Sequence, residues 1–174
     1  MESQISIFFI IFQILILSGG FFLGIRQIKL LSEQIVLMNK QIQEDTEWER
    51  RNATFNYINT YLTEFSSINQ SLQKKIKLLQ HDGKSAKIET LLNGLKSEKT
   101  RTELFHLVSY FENLAIGISC NYFDETIAKN FFYSVVISSL KTLMPYLMLR
   151  REETGLPVGS NFENLAKKWG NRKQ

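Results

Sequence analysis

The chain has 174 residues, a net charge of +4, one cysteine and two histidines. One cysteine cannot form an intramolecular disulfide, and two histidines without a second thiol leave too few ligands for a dedicated zinc or di-iron site. The basic side chains are scattered rather than gathered into one stripe, and no Walker loop or dinucleotide-binding glycine motif is present. We therefore expect no cofactor, no metal and no nucleic-acid partner.

Residues 5 to 25 form the longest apolar stretch, ISIFFIIFQILILSGGFFLGI, which contains no charge and one strongly polar side chain, Gln13. A helix of this length measures about 31 Å, close to the hydrocarbon core of a bilayer at about 30 Å. A cleaved signal peptide would begin with basic residues, whereas Glu2 is the only charge before the stretch. We interpret residues 5 to 25 as a retained transmembrane helix and residues 1 to 4 as its extracytoplasmic end.

The distribution of cations predicts the orientation of this span. No Lys or Arg precedes it, whereas Arg26 and Lys29 follow it immediately, and positive residues favour the cytoplasmic side. A lone Cys120 also suits a reducing compartment. We expect a single-pass membrane protein with its N-terminus outside and its C-terminal domain in the cytoplasm.

Two features near the inner end of the span indicate helix association. Gly20 and Gly24 form a Gly-x-x-x-Gly pattern, which lets two lipid-embedded helices approach closely. In the juxtamembrane helix, residues 26 to 47, five apolar side chains are spaced as in a short coiled coil. These five, called the seam below, are Ile28, Leu31, Ile35, Met38 and Ile42. One interpretation is a parallel homodimer. In the other, the Gly-x-x-x-Gly pattern occurs only because glycine is common in membrane helices, and the seam packs against later helices of the same chain.

Residues 48 to 170 are predicted to form a helical bundle, followed by a basic tail at residues 171 to 174. Glycine and proline are sparse, and no stretch alternates apolar and polar residues long enough for a strand, so we expect an all-α fold. The first predicted elements are an amphipathic helical segment over residues 48 to 79, a turn at residues 82 and 83, a short helix over 85 to 96 and a core helix over 102 to 118.

The next helix is predicted to begin after Asp124, a suitable N-cap, and to run over residues 125 to 150. Asn121 before it suits a left-handed turn. The apolar composition of this helix raises the question of a second span, but Lys141 would cost about 2.5 to 3.5 kcal/mol at a bilayer centre, and Pro145 would kink the helix. We interpret it as the central buried helix of the bundle.

The chain ends in a short predicted helix over residues 161 to 169, with Trp169 packed on the bundle. Its residues 162 to 166 repeat the pentapeptide Phe-Glu-Asn-Leu-Ala of residues 111 to 115, but the flanking sequences diverge at once. A duplicated structural unit would show a longer period. We interpret the second copy as chance reuse of a helix-compatible sequence.

Several short motifs together resemble a known family. They are WERRNAT from Trp48, YFENLAIGI from Tyr110, YFDE from Tyr122, and NFENLA from Asn161 followed by Trp169. In order and spacing, over roughly residues 1 to 170, they are similar to an uncharacterised bacterial family of small membrane-anchored helical proteins, described as domain of unknown function 4760. The resemblance implies a protein of the bacterial inner (plasma) membrane with unassigned activity, and it carries over no catalytic residues.

One polar cluster is a candidate either for structure or for chemistry. Glu112 lies beside the apolar face of the core helix, where an ionised carboxylate needs a partner. A structural ion pair with Arg50, Arg51 or Lys141 is the favoured interpretation, and a functional acid is the alternative. Trp48 belongs to the same candidate cluster.

These observations predict a non-enzymatic, single-pass interaction or scaffold module with a cytoplasmic helical domain. The alternative is a membrane-perturbing effector of a bacterial stress or phage-defence system, in which associated spans disturb the bilayer. An enzyme that uses Glu112 is the third hypothesis. The expected partners are the lipid bilayer, an unidentified protein and, if the seam pairs with itself, a second copy of the chain.

Overall fold

The computed structural model describes residues 2 to 81 and 98 to 171, and the side chains of residues 9, 10, 12 to 74 and 98 to 171. These residues are almost entirely helical and contain no strand, so the predicted all-α fold is confirmed. The predicted turn at 82 and 83, the predicted helix over 85 to 96 and most of the basic tail lie outside the described residues. The described elements are α1 (Glu2–Thr60), a π-helical turn (Tyr61–Phe65), α2 (Ser66–His81), α3 (Glu98–Ser119), α4 (Glu125–Thr154) and α5 (Ser160–Gly170).

The chain divides into two compact units, Met1–Trp48 and Glu49–Gln174. The first unit consists of the larger part of α1, and every residue whose burial is described there is exposed, except Gly24. The helix passes the length and hydropathy criteria for a membrane span. The window of residues that meets these criteria has a mean hydropathy of 1.6, and none of it is buried. An apolar helix without a core in its own unit depends on its surroundings for burial.

The core of the second unit is built around α3, which packs against α2, α4 and α5. Its buried side chains recur every three or four residues, as the apolar pattern over residues 102 to 118 predicted. Each large apolar side chain buried in this way contributes about 1.5 to 3 kcal/mol to the stability of the unit. The buried set on α3 includes Leu104, Leu107, Val108, Phe111, Leu114 and Ile118.

α4 begins where the turn residues predicted. Asn121 adopts a left-handed φ of 59°. The Asp124 carboxylate accepts hydrogen bonds from the main-chain N–H groups of Thr126 at 2.9 Å and Ile127 at 3.1 Å, so Asp124 is the predicted N-cap. Gly155, with a φ of 67°, ends the helix a few residues later than predicted.

α4 is buried on one face rather than on all sides. It passes the length and hydropathy criteria for a membrane span. The window of residues that meets these criteria has a mean hydropathy of 1.3, and 28% of it is buried. Tyr133 and Met148 are 45% and 54% exposed. The prediction of a central buried helix is therefore right for one face and wrong for the other. The buried face consists of Ala128, Phe132, Val136, Ser139, Leu143, Tyr146 and Leu147.

The π-helical turn (Tyr61–Phe65) interrupts the segment that the sequence predicted as one regular helix. A π turn accommodates about one extra residue. Tyr61 and Asn69, eight residues apart, would lie about 80° apart around an α-helix, and the extra residue reduces this angle to about 20°. The Asn69 amide consequently donates to the Tyr61 hydroxyl at 2.9 Å, and to the Ser139 hydroxyl of α4 at 3.0 Å. This buried polar contact joins α2 to α4.

Candidate functional site

From Phe9 onward, the described part of the apolar stretch of α1 presents large side chains to its surroundings on every side of the helix. Phe9 is 63% exposed, Leu17 72% and Phe21 73%. A methyl group placed on Gly20 or Gly24 would meet no atom within 4 Å outside the local helix. This part of the first unit is therefore an apolar surface with an open, small-residue face.

The seam lies further along the same helix and is also uncovered. Its five side chains are between 56% and 70% exposed. The structure therefore places all five on one uninterrupted helix, α1, with their apolar surface facing outward. Their exposed fractions are Ile28 70%, Leu31 56%, Ile35 58%, Met38 61% and Ile42 57%.

The residues of the predicted polar cluster make separate contacts rather than one cluster. Arg50 donates to the Asn121 side-chain oxygen at 2.9 Å and lies 3.9 Å from the Asp124 carboxylate. Glu112 makes its contacts with α5 instead, and Lys141 is exposed. The favoured pairing of Glu112 with a basic side chain is therefore wrong. Arg51 is exposed, as is Trp48 at 66%.

Glu112 caps the N-terminus of α5 from a different helix. One carboxylate oxygen accepts from the main-chain N–H of Asn161 at 3.1 Å and from its side-chain amide at 2.8 Å. The other accepts from the main-chain N–H of Phe162 at 2.9 Å. These are the two N–H groups that an N-cap side chain normally satisfies, but the N-cap residue here is Gly159, which has no side chain. The negative charge also complements the positive end of the α5 dipole.

Gly159 cannot be replaced by a residue that caps α5 itself. Its φ is 73°, and a Cβ atom there would lie 2.6 Å from a methyl carbon of Leu147. A side chain at position 159 would therefore be strained by the backbone and blocked by the core. The cap has to come from elsewhere in the fold, and α3 supplies it through Glu112.

A cavity of about 280 Å³ lies beside this cap, between α3, the end of α4 and the loop before α5. Its two charged lining residues are Glu112 and Arg150. Arg150 donates to Glu153 at 2.7 Å, while both Glu112 oxygens accept from α5. Because both groups are engaged in structural contacts, this cavity offers no unpaired acid for catalysis.

A second cavity, of about 600 Å³, lies between the π-helical turn and the first turns of α3. Its lining includes Glu64, Glu98, Glu103 and His106. Within residues 2 to 81 and 98 to 171, no group of three or more His, Cys, Asp or Glu side chains could hold a metal ion.

The turn between α3 and α4 is held by residues of the motif that begins at Trp48. The Thr54 hydroxyl is buried, donates to the Arg50 carbonyl at 2.8 Å and accepts the main-chain N–H of Asp124 at 2.8 Å. Arg50 contacts Asn121 and Asp124 in the same turn. This part of the motif is therefore structural, since it attaches the last turns of α1 to the α3–α4 connection.

Further polar contacts, which the sequence did not predict, attach α5. Glu125 accepts from the Trp169 indole N–H at 3.0 Å and from Lys168 at 2.7 Å. Trp169 is 2% exposed, so its predicted packing on the bundle is confirmed.

An ion pair between Arg151 of α4 and Glu163 of α5 also holds α5 to the end of α4. The Glu163 carboxylate lies 2.6 Å from the Lys167 ammonium and 2.9 Å from the Arg151 guanidinium. Hydrogen bonds from these two cations hold the pKa of Glu163 below its ordinary value, because they stabilise the ionised form. Arg151 also donates through Nε to the Val158 carbonyl at 2.8 Å.

The two Phe-Glu-Asn-Leu-Ala pentapeptides pack against each other. The rings of Phe111 and Phe162 stack, with centroids 4.9 Å apart and planes 17° apart. Glu112 of the first pentapeptide caps the helix that contains the second. The two identical segments thus meet at the α3–α5 contact, which the sequence analysis did not predict.

Comparison with known proteins identifies one family. A family model described as a domain of unknown function (DUF4760) matches residues 14–169. The matched region includes the motif from Trp48, both pentapeptides and Trp169, on which the resemblance depended. No curated protein and no solved structure matches the chain.

Proposed function

Because the chain belongs to the DUF4760 family, an uncharacterised domain family, we propose its function from its geometry. The protein is a single-pass membrane-anchored interaction module. Its first unit holds the chain in the inner membrane of a bacterium, and its second unit is a helical domain that positions a partner at the cytoplasmic face.

The observation that supports the anchor best is the exposure of an uncharged stretch on a continuous helix. Residues 9 to 25 carry no charge, and the large apolar side chains that the structure describes among them are more than half exposed. Leaving each such side chain in water rather than an apolar environment costs about 1.5 to 3 kcal/mol. A bilayer removes this cost for all sides of the helix at once, whereas a protein partner would cover one face.

The charges that flank the stretch support the orientation. Arg26 and Lys29 lie within the first turn after it, and Glu2 is the only charge before it. Cations resist transfer across the membrane, so the side that carries them stays in the cytoplasm. The second unit follows these residues in the chain and lies on the same side.

The contacts of the second unit support a module rather than an enzyme. Glu112 caps α5, Glu125 binds Trp169 and Lys168, and Arg50 contacts the turn before α4. Glu112, Glu125 and Arg50 thus each join two parts of the fold. A rigid helical domain built this way suits binding.

The native cysteine provides the experiment that tests the anchor and its orientation. Cys120 is the only thiol and is exposed. We expect the chain to pellet with membranes and resist extraction by carbonate but not by detergent. A membrane-impermeant maleimide should label Cys120 only after lysis, and should label a Ser3→Cys, Cys120→Ser variant in intact cells. Recovery in the soluble fraction would reject the anchor, and labelling of Cys120 in intact cells would reject the orientation.

We propose the membrane-perturbing effector as a second candidate, favoured by the open faces of Gly20 and Gly24. Close association of several spans through these glycines would disturb the bilayer. The module and the effector differ in what overexpression does to the cell, and this difference is tested below.

A further inference from the structure

We propose that a second copy of this chain docks in parallel on one face of α1 and forms a two-stranded coiled coil. This face, called the α1 stripe, consists of Gly20, Gly24 and the five seam residues. The inference rests on the proposed function, because insertion of both copies in the same orientation is what makes the pairing parallel. It adds the identity of the partner, which the anchor alone does not specify.

The glycines and the seam lie on the same side of the helix. At 100° per residue, all seven positions of the α1 stripe fall within an arc of about 80°. α1 is unbroken through this region, so the part of the stripe in lipid continues into the part in water. Two helices that approach through Gly20 and Gly24 would therefore bring their seams together without a change of register.

The residues that flank the seam favour an identical partner. In a parallel coiled coil, the e positions of one chain face the g positions of the other. Attraction or repulsion between charges at these positions determines which chains pair. Here the facing pairs would be Gln27 with Ser32, Gln34 with Asn39, and Gln41 with Thr46, none of which is charged. Two copies would meet no repulsion at these e and g positions, and a highly charged partner would find no complementary charge there.

The charged side chains between Arg26 and Glu44 all lie outside the interface. With Ile28 in an a position, they occupy b, c and f positions, which face away from a partner. The pair formed by Lys40 and Glu44, 3.7 Å apart, is on this outer side, with both side chains about 70% exposed. The next d position after Ile42 is Asp45, which ends the apolar seam. The charged residues concerned are Arg26, Lys29, Glu33, Lys40 and Glu44.

The types of apolar residue indicate two strands. Ile28, Ile35 and Ile42 occupy the a positions, and Leu31 and Met38 the d positions. Isoleucine at a with leucine at d favours a parallel dimer over a trimer or tetramer. Two heptads are a short interface, but anchoring both chains in one membrane raises their effective concentration. The dimer should therefore form in the membrane.

Disulfide cross-linking of the full chain in its native membrane tests the proposal. In a Cys120→Ser background, Leu31→Cys places a thiol at a d position and Glu33→Cys places one at an outer f position. With mild oxidant, Leu31→Cys should give a product of twice the chain mass at about tenfold the yield of Glu33→Cys, because a disulfide requires Cα atoms within about 7 Å. Equal yields at the two positions, or no product at either, would overturn the proposal that the α1 stripe is the dimer interface.

A matched pair of substitutions tests the face directly. Ile35 is in the seam and 58% exposed, while the adjacent Val36 is a similar β-branched residue, 66% exposed, outside the stripe. In the Leu31→Cys reporter, Ile35→Asp should lower the cross-linked fraction at least about fivefold, whereas Val36→Asp should change it less than about twofold. Equal losses from the two variants would contradict the proposal, as would a cross-linked product containing a different protein.

Fractionation of the same samples separates this proposal from the proposed function. If the chain pellets with membranes but the Leu31→Cys variant gives no cross-linked product, docking of a second copy is rejected and the membrane anchor is not. Chain in the soluble fraction rejects the anchor and, with it, the membrane-assisted dimer.

Discussion

Tyr57 and Tyr110 each donate a hydrogen bond to the main-chain carbonyl of the other, both at 2.6 Å. Their rings are stacked, with centroids 4.3 Å apart and planes 20° apart. The reciprocal pair attaches the last turns of α1 to the middle of α3 within the second unit. Burial raises the pKa of both tyrosines, because the ionised phenolate is poorly solvated there.

Removing either hydroxyl of this pair should destabilise the second unit. We expect Tyr57→Phe and Tyr110→Phe each to lower the free energy of unfolding by about 1 kcal/mol, the usual contribution of one hydrogen bond. Tyr133→Phe is the control, because that tyrosine is 45% exposed. Denaturant unfolding of the full chain in detergent, followed by circular dichroism, measures all three. A control that loses as much stability as the pair would contradict the role of the two hydroxyls.

The same pair should make the fold sensitive to alkali. A tyrosine whose pKa is raised by folding contributes stability below its unfolded pKa of 10.0 and loses it as the pH rises beyond. We therefore expect the wild-type chain to lose stability above about pH 10, and the Tyr57→Phe, Tyr110→Phe variant to lose less. Thermal melts from pH 8 to pH 11 would reveal the difference. Parallel curves for the two proteins would count against it.

Loss of the Glu112 carboxylate should loosen α5. We expect Glu112→Ala to cost about 1 to 2 kcal/mol, because two main-chain N–H groups lose their acceptor. Glu112→Gln keeps one oxygen acceptor and should cost less. The exposed Glu152, changed to Ala, is the matched control. Hydrogen exchange should rise first in α5, and uniform exchange across the unit would argue against a local cap.

Acid should weaken the contact between α4 and α5. Folding lowers the pKa of Glu163, so its contribution to stability is complete above about pH 4.5 and is lost as the pH falls through the lower, folded pKa. Glu163→Gln should therefore show a smaller loss of stability between about pH 5 and pH 2 than the wild type. Urea midpoints measured across this range for the wild type and Glu163→Gln test the prediction. Glu152→Gln is the control and should behave as the wild type.

Gly117 should not tolerate even a methyl group. A Cβ atom at this position would lie 2.3 Å from ring carbons of Phe123. Alanine usually stabilises a helix by about 1 kcal/mol relative to glycine, but here the clash should reverse the sign. Gly170→Ala, whose nearest contact is an ordinary 3.7 Å, is the control. A melting temperature for Gly117→Ala equal to or above that of the wild type would contradict this assignment.

The effector hypothesis makes a separate prediction about the span. Gly20→Leu together with Gly24→Leu should block close helix approach without disturbing the single helix, because nothing lies within 4 Å of either position. If the chain perturbs membranes, overexpression of the wild type should depolarise cells, and the double variant should not. Equal depolarisation by both proteins would eliminate span association as the mechanism, and no depolarisation by the wild type would favour the module.

Local patterns in the sequence were sufficient for the helices and their ends. The periodic apolar residues of α3, the cap at Asp124 and the left-handed Asn121 depend on neighbours within a few positions, so their chemistry can be read along the chain. The π-helical turn was missed because the contact it permits is not local: it aligns Tyr61 with Asn69, and the Asn69 amide also donates to Ser139, seventy positions further along the chain.

Composition and apolar spacing were sufficient for the all-α class and the uncharged apolar stretch, and the structure added that the described side chains of this stretch are exposed on an unbroken helix. The role of Glu112 depends on tertiary contacts, because the groups that satisfy a carboxylate are those that folding brings near it. Position 159 admits no side-chain cap, so a residue 47 positions earlier supplies one across the core. Pairing of this kind depends on three-dimensional distance, and sequence separation does not predict it.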